Sequence, residues 1–111
     1  MRIDAYAQNS EKEFMTVQAI LSALAEPTRL GAILIIWDGG EHCACELMER
    51  LNTSQSRMSR HMKVLRDAGL VLDRRDAQWV RYRRNPDLPQ GIEDIIDAVV
   101  AAAGAARKAA A

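Results

Sequence analysis

Residues 54–84 read "SQSRMSRHMKVLRDAGLVLDRRDAQWVRYRR", and two periodicities meet inside this stretch. Up to Gly69 the apolar side chains Met58, Met62 and Leu65 recur at three- and four-residue intervals, the repeat of one helix face. Ser54 is a favourable N-cap and Gly69 a favourable stop, so the spacing predicts a helix over about 55–67. Beyond Gly69, "LVLDRR" and "QWVRYRR" are rich in β-branched and aromatic residues and flank Asp76-Ala77, which predicts a two-stranded hairpin. Ala77 is poorly suited to the positive φ of a two-residue hairpin turn, so a longer turn is expected.

Working upstream, Asn52-Thr53-Ser54 separates this helix from a short one over about 44–51 that carries Leu47 and Leu51. Two helices joined by so short a polar turn have the spacing of a helix-turn-helix. Before them, Pro27 opens a strongly apolar helix with Leu30, Ile33, Leu34 and Trp37, which Gly39-Gly40 ends. Ser10 and Glu13 match a capping box for a first helix over about 11–25, with Phe14, Val17, Ile20, Leu21 and Leu24 on one side. Downstream, Pro86 and Pro89 end the second strand. Ile92, Ile95, Ile96, Val99 and Val100 then mark a last helix over about 90–107. The expected fold is mainly α with a small β-hairpin: a winged helix-turn-helix in the order α-α-α-α-β-β-α, the hairpin being the wing. It forms one domain over 1–111, with 1–9 and the alanine-rich 104–111 as flexible tails.

The chain has 111 residues, enough for a modest core that a dimer would help to complete. No stretch is long and apolar enough for a transmembrane helix, and the start of the chain lacks the apolar core of a signal peptide. A cytoplasmic location with no membrane partner is expected. The net charge is zero, but it is segregated: residues 54–84 hold 9 Lys/Arg against 3 Asp/Glu, whereas residues 1–53 hold 4 against 8. A basic middle between acidic flanks suits a polyanion.

The basic residues fall where a duplex would be read. On the fourth helix Gln55, Ser56, Ser59, Arg60 and Lys63 lie opposite the apolar stripe, with Arg57 and His61 at its edges. Short polar and long basic side chains near the start of such a helix suit base edges in a major groove. A solvated helix face is the plainer alternative. His61 has two readings, a phosphate contact or a helix-surface residue bonded to a neighbour. The hairpin adds Arg74, Arg75, Arg81, Arg83 and Arg84, whose natural partners are phosphates. Trp79 and Tyr82 read as packing residues. The expected partner is double-stranded operator DNA.

The chain's two cysteines, Cys43 and Cys45, lie one alanine apart in "EHCACELM", residues 41–48. A pair so close cannot build a disulfide framework, and reduced thiols are the expectation for a cytoplasmic protein. A direct disulfide across one residue is expected to be strained. A thiol-exchange enzyme would want Cys-X-X-Cys near a βαβ unit, and neither is present, so no enzyme is expected. Two small buried cysteines in a core are the plain alternative.

Taken in order, "LAEPTRLGAIL", "CACEL", "SQSRMSRHMKVLRDAGLVLDRR" and "WVRYRRNPDLP" resemble the ArsR/SmtB winged-helix repressors over roughly residues 15–100, most nearly the arsenical-resistance operon repressors. The first two cysteines of that group's metalloid box correspond to Cys43 and Cys45. Met48 stands where the box has its third cysteine, and His42 replaces a leucine. The resemblance implies a homodimer formed through the first and last helices, repression of its own operon, and release of DNA when ligand binds.

Trivalent arsenic or antimony, as soft thiophiles, are the expected effectors, with no cofactor required. In a regular helix Cys43 and Cys45 would point about 200° apart, so one ion could be gripped only if the first turn of the third helix unwound. Such a ligand would favour a distorted helix-turn-helix over the DNA-binding form, which is what allostery requires. Zinc, cadmium or lead at Cys43 and Cys45, with His42 as a candidate third ligand, is the alternative. A thiol-redox or reactive-sulfur response through the same cysteines is another. The family's last-helix metal site uses Asp and His. Here Glu93, Asp94 and Asp97 have no histidine beside them and read as a solvated face.

Overall fold

A computed structural model of the chain describes residues 17–110. The predicted capping box at Ser10 and the start of the first helix lie outside the described residues. The elements in order are α1 (Val17–Leu24), α2 (Pro27–Ile36), β1 (His42–Cys43), α3 (Ala44–Leu51), α4 (Gln55–Asp67), β2 (Val71–Asp76), β3 (Trp79–Arg84) and α5 (Gln90–Ala110). The winged helix-turn-helix order holds, with one addition: β1 makes the wing a three-stranded antiparallel sheet in the order β1-β3-β2.

Local caps place the helix boundaries. Glu26 caps α2 by accepting a hydrogen bond from the Arg29 backbone N–H at 2.9 Å, and Pro27 occupies the first turn, where its missing N–H costs nothing. Ser54 caps α4 by accepting from the Arg57 N–H at 3.3 Å. Beyond the end of α4, Gly69 at φ +87° allows the Leu70 N–H to reach back to the Leu65 carbonyl at 3.1 Å. Between α3 and α4 the chain turns on Asn52, in the left-handed region at φ 51°.

Most of the apolar positions predicted from spacing face inward; Leu21 and Ile95 are exposed, and Phe14 lies outside the described residues. Ile20 of α1, Ile33 and Ile36 of α2, Leu47 of α3, Met58, Met62 and Leu65 of α4, and Ile92 and Ile96 of α5 share one core with Tyr82 of the wing. α2 and α3 pack closely because Gly31 has no side chain: a Cβ there would meet Leu51 Cδ2 at 2.7 Å.

Two expectations are corrected here. The hairpin turn is not lengthened: Asp76 pairs directly with Trp79, leaving only Ala77 and Gln78, and Ala77 takes φ +58°. Inter-strand pairing over the whole hairpin outweighs the local preference of one alanine. α5 also runs to Ala110, past the boundary near 107 that spacing suggested. Among the described residues no single helix is long and apolar enough to cross a membrane.

Candidate functional site

The two cysteines sit at a junction. Cys43 is the last residue of β1 and also the N-cap of α3, with extended backbone at φ −71° and ψ 144°. Its Sγ accepts a hydrogen bond from the Cys45 N–H at 3.2 Å. Cys43 therefore stands outside the helix, and the 200° divergence of two helical positions does not apply. The two sulfurs meet as a bonded pair, with their Cα atoms 5.2 Å apart. That separation is ordinary for a disulfide. The expectation that α3 must unwind before both sulfurs face one point is overturned.

His42 lies beside this pair and is 8% exposed. Its Nε2 is 2.9 Å from Asp38 Oδ1 and its Nδ1 is 2.9 Å from Glu46 Oε1. Burial alone would push this imidazole's pKa down. The hydrogen bonds and charges of Asp38 and Glu46 outweigh burial, and the pKa stands above the usual histidine value. For Asp38 the His42 hydrogen bond leads in holding the carboxyl below its usual range. Burial pushes Glu46 the other way, but its bonds to His42 and Arg50 leave it lowered. Among the described residues no three His, Cys, Asp or Glu side chains converge as metal ligands. Met48 packs against the core and, with Met58, Trp79 and Tyr82, lines a recess of about 140 Å³ between α3, α4 and the wing.

The basic face divides on inspection. Gln55, Ser56, Arg57, Ser59, Arg60 and Lys63 are exposed along one side of α4, while Met58, Met62 and Leu65 are buried on the other. Lys63 is bonded to Asp67 at 2.8 Å. His61 is turned toward α2: its Nδ1 is 3.1 Å from Arg29 Nη1, and Arg29 Nε donates to the Ala23 carbonyl at 2.8 Å. Of the two readings of His61, the structure favours the bond to a neighbour, which ties α4 to the α1–α2 corner.

On the wing, Arg75 and Arg83 are exposed, whereas Arg81 is paired with Asp76 at 2.8 Å and Arg74 with Glu41. Arg57, Arg60, Arg75 and Arg83 form no ion pair among the described residues. Arg84 does not extend outward as its grouping with the wing arginines implied. Its guanidinium lies 4.4 Å from the centroid of the Trp37 ring and pairs with Glu93 of α5. Trp37 Nε1 in turn donates to Asp97 Oδ1 at 2.9 Å. Two carboxylates read from sequence as a solvated face thus join α5 to α2 and β3. No local signal could have found that joint, because its partners are far apart along the chain.

Comparison with known proteins places this geometry among regulators. Residues 26–72 match the family model described as bacterial regulatory protein, arsR family. The arsenic resistance transcriptional regulator ArsR1 of Pseudomonas putida is 39% identical over 100 residues, covering 90% of this chain and 78% of that protein. The arsenical resistance operon repressor of Escherichia coli is 42% identical over 84 residues, 76% of this chain and 72% of that one. Among solved structures, reduced HlyU from Vibrio cholerae superposes with a TM-score of 0.67 at 33% identity, covering 83% of this chain and 93% of its own. The homodimeric winged helix-turn-helix domain Mb0332 of Mycobacterium bovis shares the fold at 22% identity, with a TM-score of 0.66 over 89% of this chain and 85% of that one.

Proposed function

The chain belongs to the arsR family of bacterial regulatory proteins, and from that premise we propose that it is a metalloid-responsive transcriptional repressor. It binds operator DNA as a homodimer in the cytoplasm and lets go when trivalent arsenic or antimony bridges Cys43 and Cys45. The observation that carries this reading is the meeting of the two sulfurs at the junction of β1 and α3. In reduced form they offer two thiolates already facing one point, next to a helix N-terminus that favours thiolate. Arsenite then exchanges two hydroxyls for two sulfurs: As(OH)3 and two thiols give As(OH)(SR)2 and two waters. Met48, a neutral thioether, is a weaker donor than the thiolate it replaces, so the third position falls to solvent or an outside thiol.

Release no longer needs an unwound helix. In the reduced form the two sulfurs can turn independently, and one arsenic bonded to both fixes their separation and directions. Cys43 cannot move without disturbing either its pairing with Arg81 of β3 or its cap on α3. Both changes act on elements that hold α4 and the wing, so the ligand favours the state that fits DNA less well. In that DNA-fitting state, Gln55, Ser56, Ser59 and Arg60 read base edges, with Arg57, Arg75 and Arg83 on phosphates. Exposed Leu21 on α1 and Ile95 on α5 support a dimer interface of first and last helices.

The test is release of operator DNA by arsenite. Cys43→Ser and Cys45→Ser should each keep DNA binding and lose the response. If either serine variant still releases DNA at wild-type arsenite concentrations, the pair is packing and not a sensor.

The contact of the sulfurs also favours a second reading, a thiol-redox repressor. Two thiols would lose two protons and two electrons to a disulfide or peroxide oxidant and form the bond directly. Release by oxidant alone, with no response to arsenite under excess reductant, would select it. Zinc, cadmium or lead finds less support, because both nitrogens of His42 are already engaged.

A further inference from the structure

Resting on the thiol-site reading above, the geometry points to His42 as a positioning residue that presets the dithiol and does not bind the effector. Three observations support this. First, His42 and Cys43 are consecutive residues of β1, and successive strand side chains point to opposite faces, so imidazole and sulfur diverge. Second, both ring nitrogens are taken, each by a carboxylate at 2.9 Å. To ligate an ion at the sulfurs, the ring would have to leave both partners and cross the strand. Third, the partners stand on either side of the thiols. Asp38 lies in the loop after α2, where it also accepts from the Gly40 N–H at 2.7 Å. Glu46 is in the first turn of α3, directly after Cys45, and is held on its other oxygen by Arg50 at 2.9 Å.

His42 thus bolts the residue before Cys43 to the residue after Cys45. Those are the two backbone points that must stay in place for Cys43 to remain extended while Cys45 is helical. Release either point and the sulfurs lose their common focus, although each remains a competent thiol. Outer partners that orient ligands in this way commonly change metal affinity by about ten- to a hundredfold when removed.

The experiment uses reduced full-length protein and phenylarsine oxide, a trivalent arsenical that bridges two neighbouring thiols, in competition with a small dithiol. His42→Gln and Asp38→Ala should bind it about ten- to a hundredfold more weakly than wild type, each compared at a temperature where circular dichroism shows it folded. Asp38 is 58% exposed, so Asp38→Ala tests the clasp even if His42→Gln folds poorly. Asp38→Asn keeps an acceptor oxygen and should recover most of the affinity. A residue with a purely structural role would lower the melting temperature and leave the affinity of the folded protein unchanged, and that result overturns the clasp. Nitrogen in the arsenic shell of the wild-type arsenite complex, seen by X-ray absorption and lost in His42→Gln, also overturns it by making His42 a ligand. Weakened phenylarsine oxide binding in the variants, with wild-type DNA binding indifferent to arsenite, would retain the clasp and reject the effector reading.

Discussion

Glu41 and Arg74 are joined by two hydrogen bonds, Nε to Oε2 at 2.6 Å and Nη2 to Oε1 at 2.7 Å, that reach from the edge of β1 across β3 to β2. An arginine expected on DNA phosphate is therefore occupied by a carboxylate two residues before Cys43. Glu41 is held below its usual pKa chiefly by that bond, so the pair stays charged at neutral pH. Glu41→Gln should weaken this hold and make Arg74 available to a phosphate. Operator affinity at low salt should rise, and the salt dependence should steepen by about one unit. DNA-binding curves at several salt concentrations read both. An unchanged slope would mean that Arg74 stays off DNA in either form.

Under the proposed mode of DNA binding, reading and anchoring are expected to separate along the basic face. Arg60→Ala or Ser56→Ala should lower discrimination between operator and random duplex by about 1–3 kcal/mol. Arg83→Ala should weaken both alike and flatten the salt slope by about one unit. Competition binding against random DNA distinguishes the two patterns, and specificity that survives Arg60→Ala would remove α4 from the role of reader.

Glu26 gives the acid limb of stability a testable sign. Burial raises its pKa, but hydrogen bonds from the Arg29 and Thr28 backbone and the charge of His61 outweigh burial, leaving it lowered. A carboxylate with a lowered folded pKa stabilises above its unfolded value, about 4.3. That stability is lost as the pH falls through the folded value. Glu26→Gln should flatten the loss of stability on acidification below that pH. Glu26→Ala, which removes the cap, should cost about 1 kcal/mol at neutral pH. Urea melts at pH 3, 4, 5 and 7 measure both.

The helices were legible because their ends are written locally. Ser54 and Gly69 bound α4 with no help from elsewhere, and Met58, Met62 and Leu65 show which face turns inward. β1 was not legible. Two residues carry no periodicity, and His42 and Cys43 become a strand only by pairing with Tyr82 and Arg81 far downstream. That unseen strand changed the site, because it takes Cys43 out of the helix and lets the sulfurs meet. The resemblance located the thiols, but the position of their side chains depended on this long-range pairing. The partners of His42 were hidden for the same reason: Asp38, His42 and Glu46 are evenly spaced in sequence but occupy a loop, a strand and a helix.

Ala77 carries the cost of a turn that would be easier for glycine. A non-glycine residue in the left-handed region costs about 1–2 kcal/mol, partly offset by the greater freedom glycine has when unfolded. Ala77→Gly should therefore raise stability by about 0.5–1 kcal/mol in denaturant melts. A destabilised Ala77→Gly would show that the turn is not held at φ +58° in solution.

The joint of Trp37, Asp97 and Arg84 fastens α5 to the DNA-binding core. The Trp37 indole N–H has one partner, Asp97 Oδ1, on a residue that is 9% exposed. Asp97→Ala removes that acceptor and should cost about 0.5–1.5 kcal/mol. Asp97→Asn keeps an acceptor oxygen and should cost less than half as much. Arg84→Lys retains a positive charge but loses the flat guanidinium over the indole, and it should fall between the two. Because α5 is also a proposed dimer helix, Asp97→Ala should raise the protein concentration needed for dimerisation, read by sedimentation across a dilution series. Wild-type stability and dimerisation in Asp97→Ala would mean that the hydrogen bond contributes nothing and that α5 is held by Ile92, Ile96 and the Arg84–Glu93 pair.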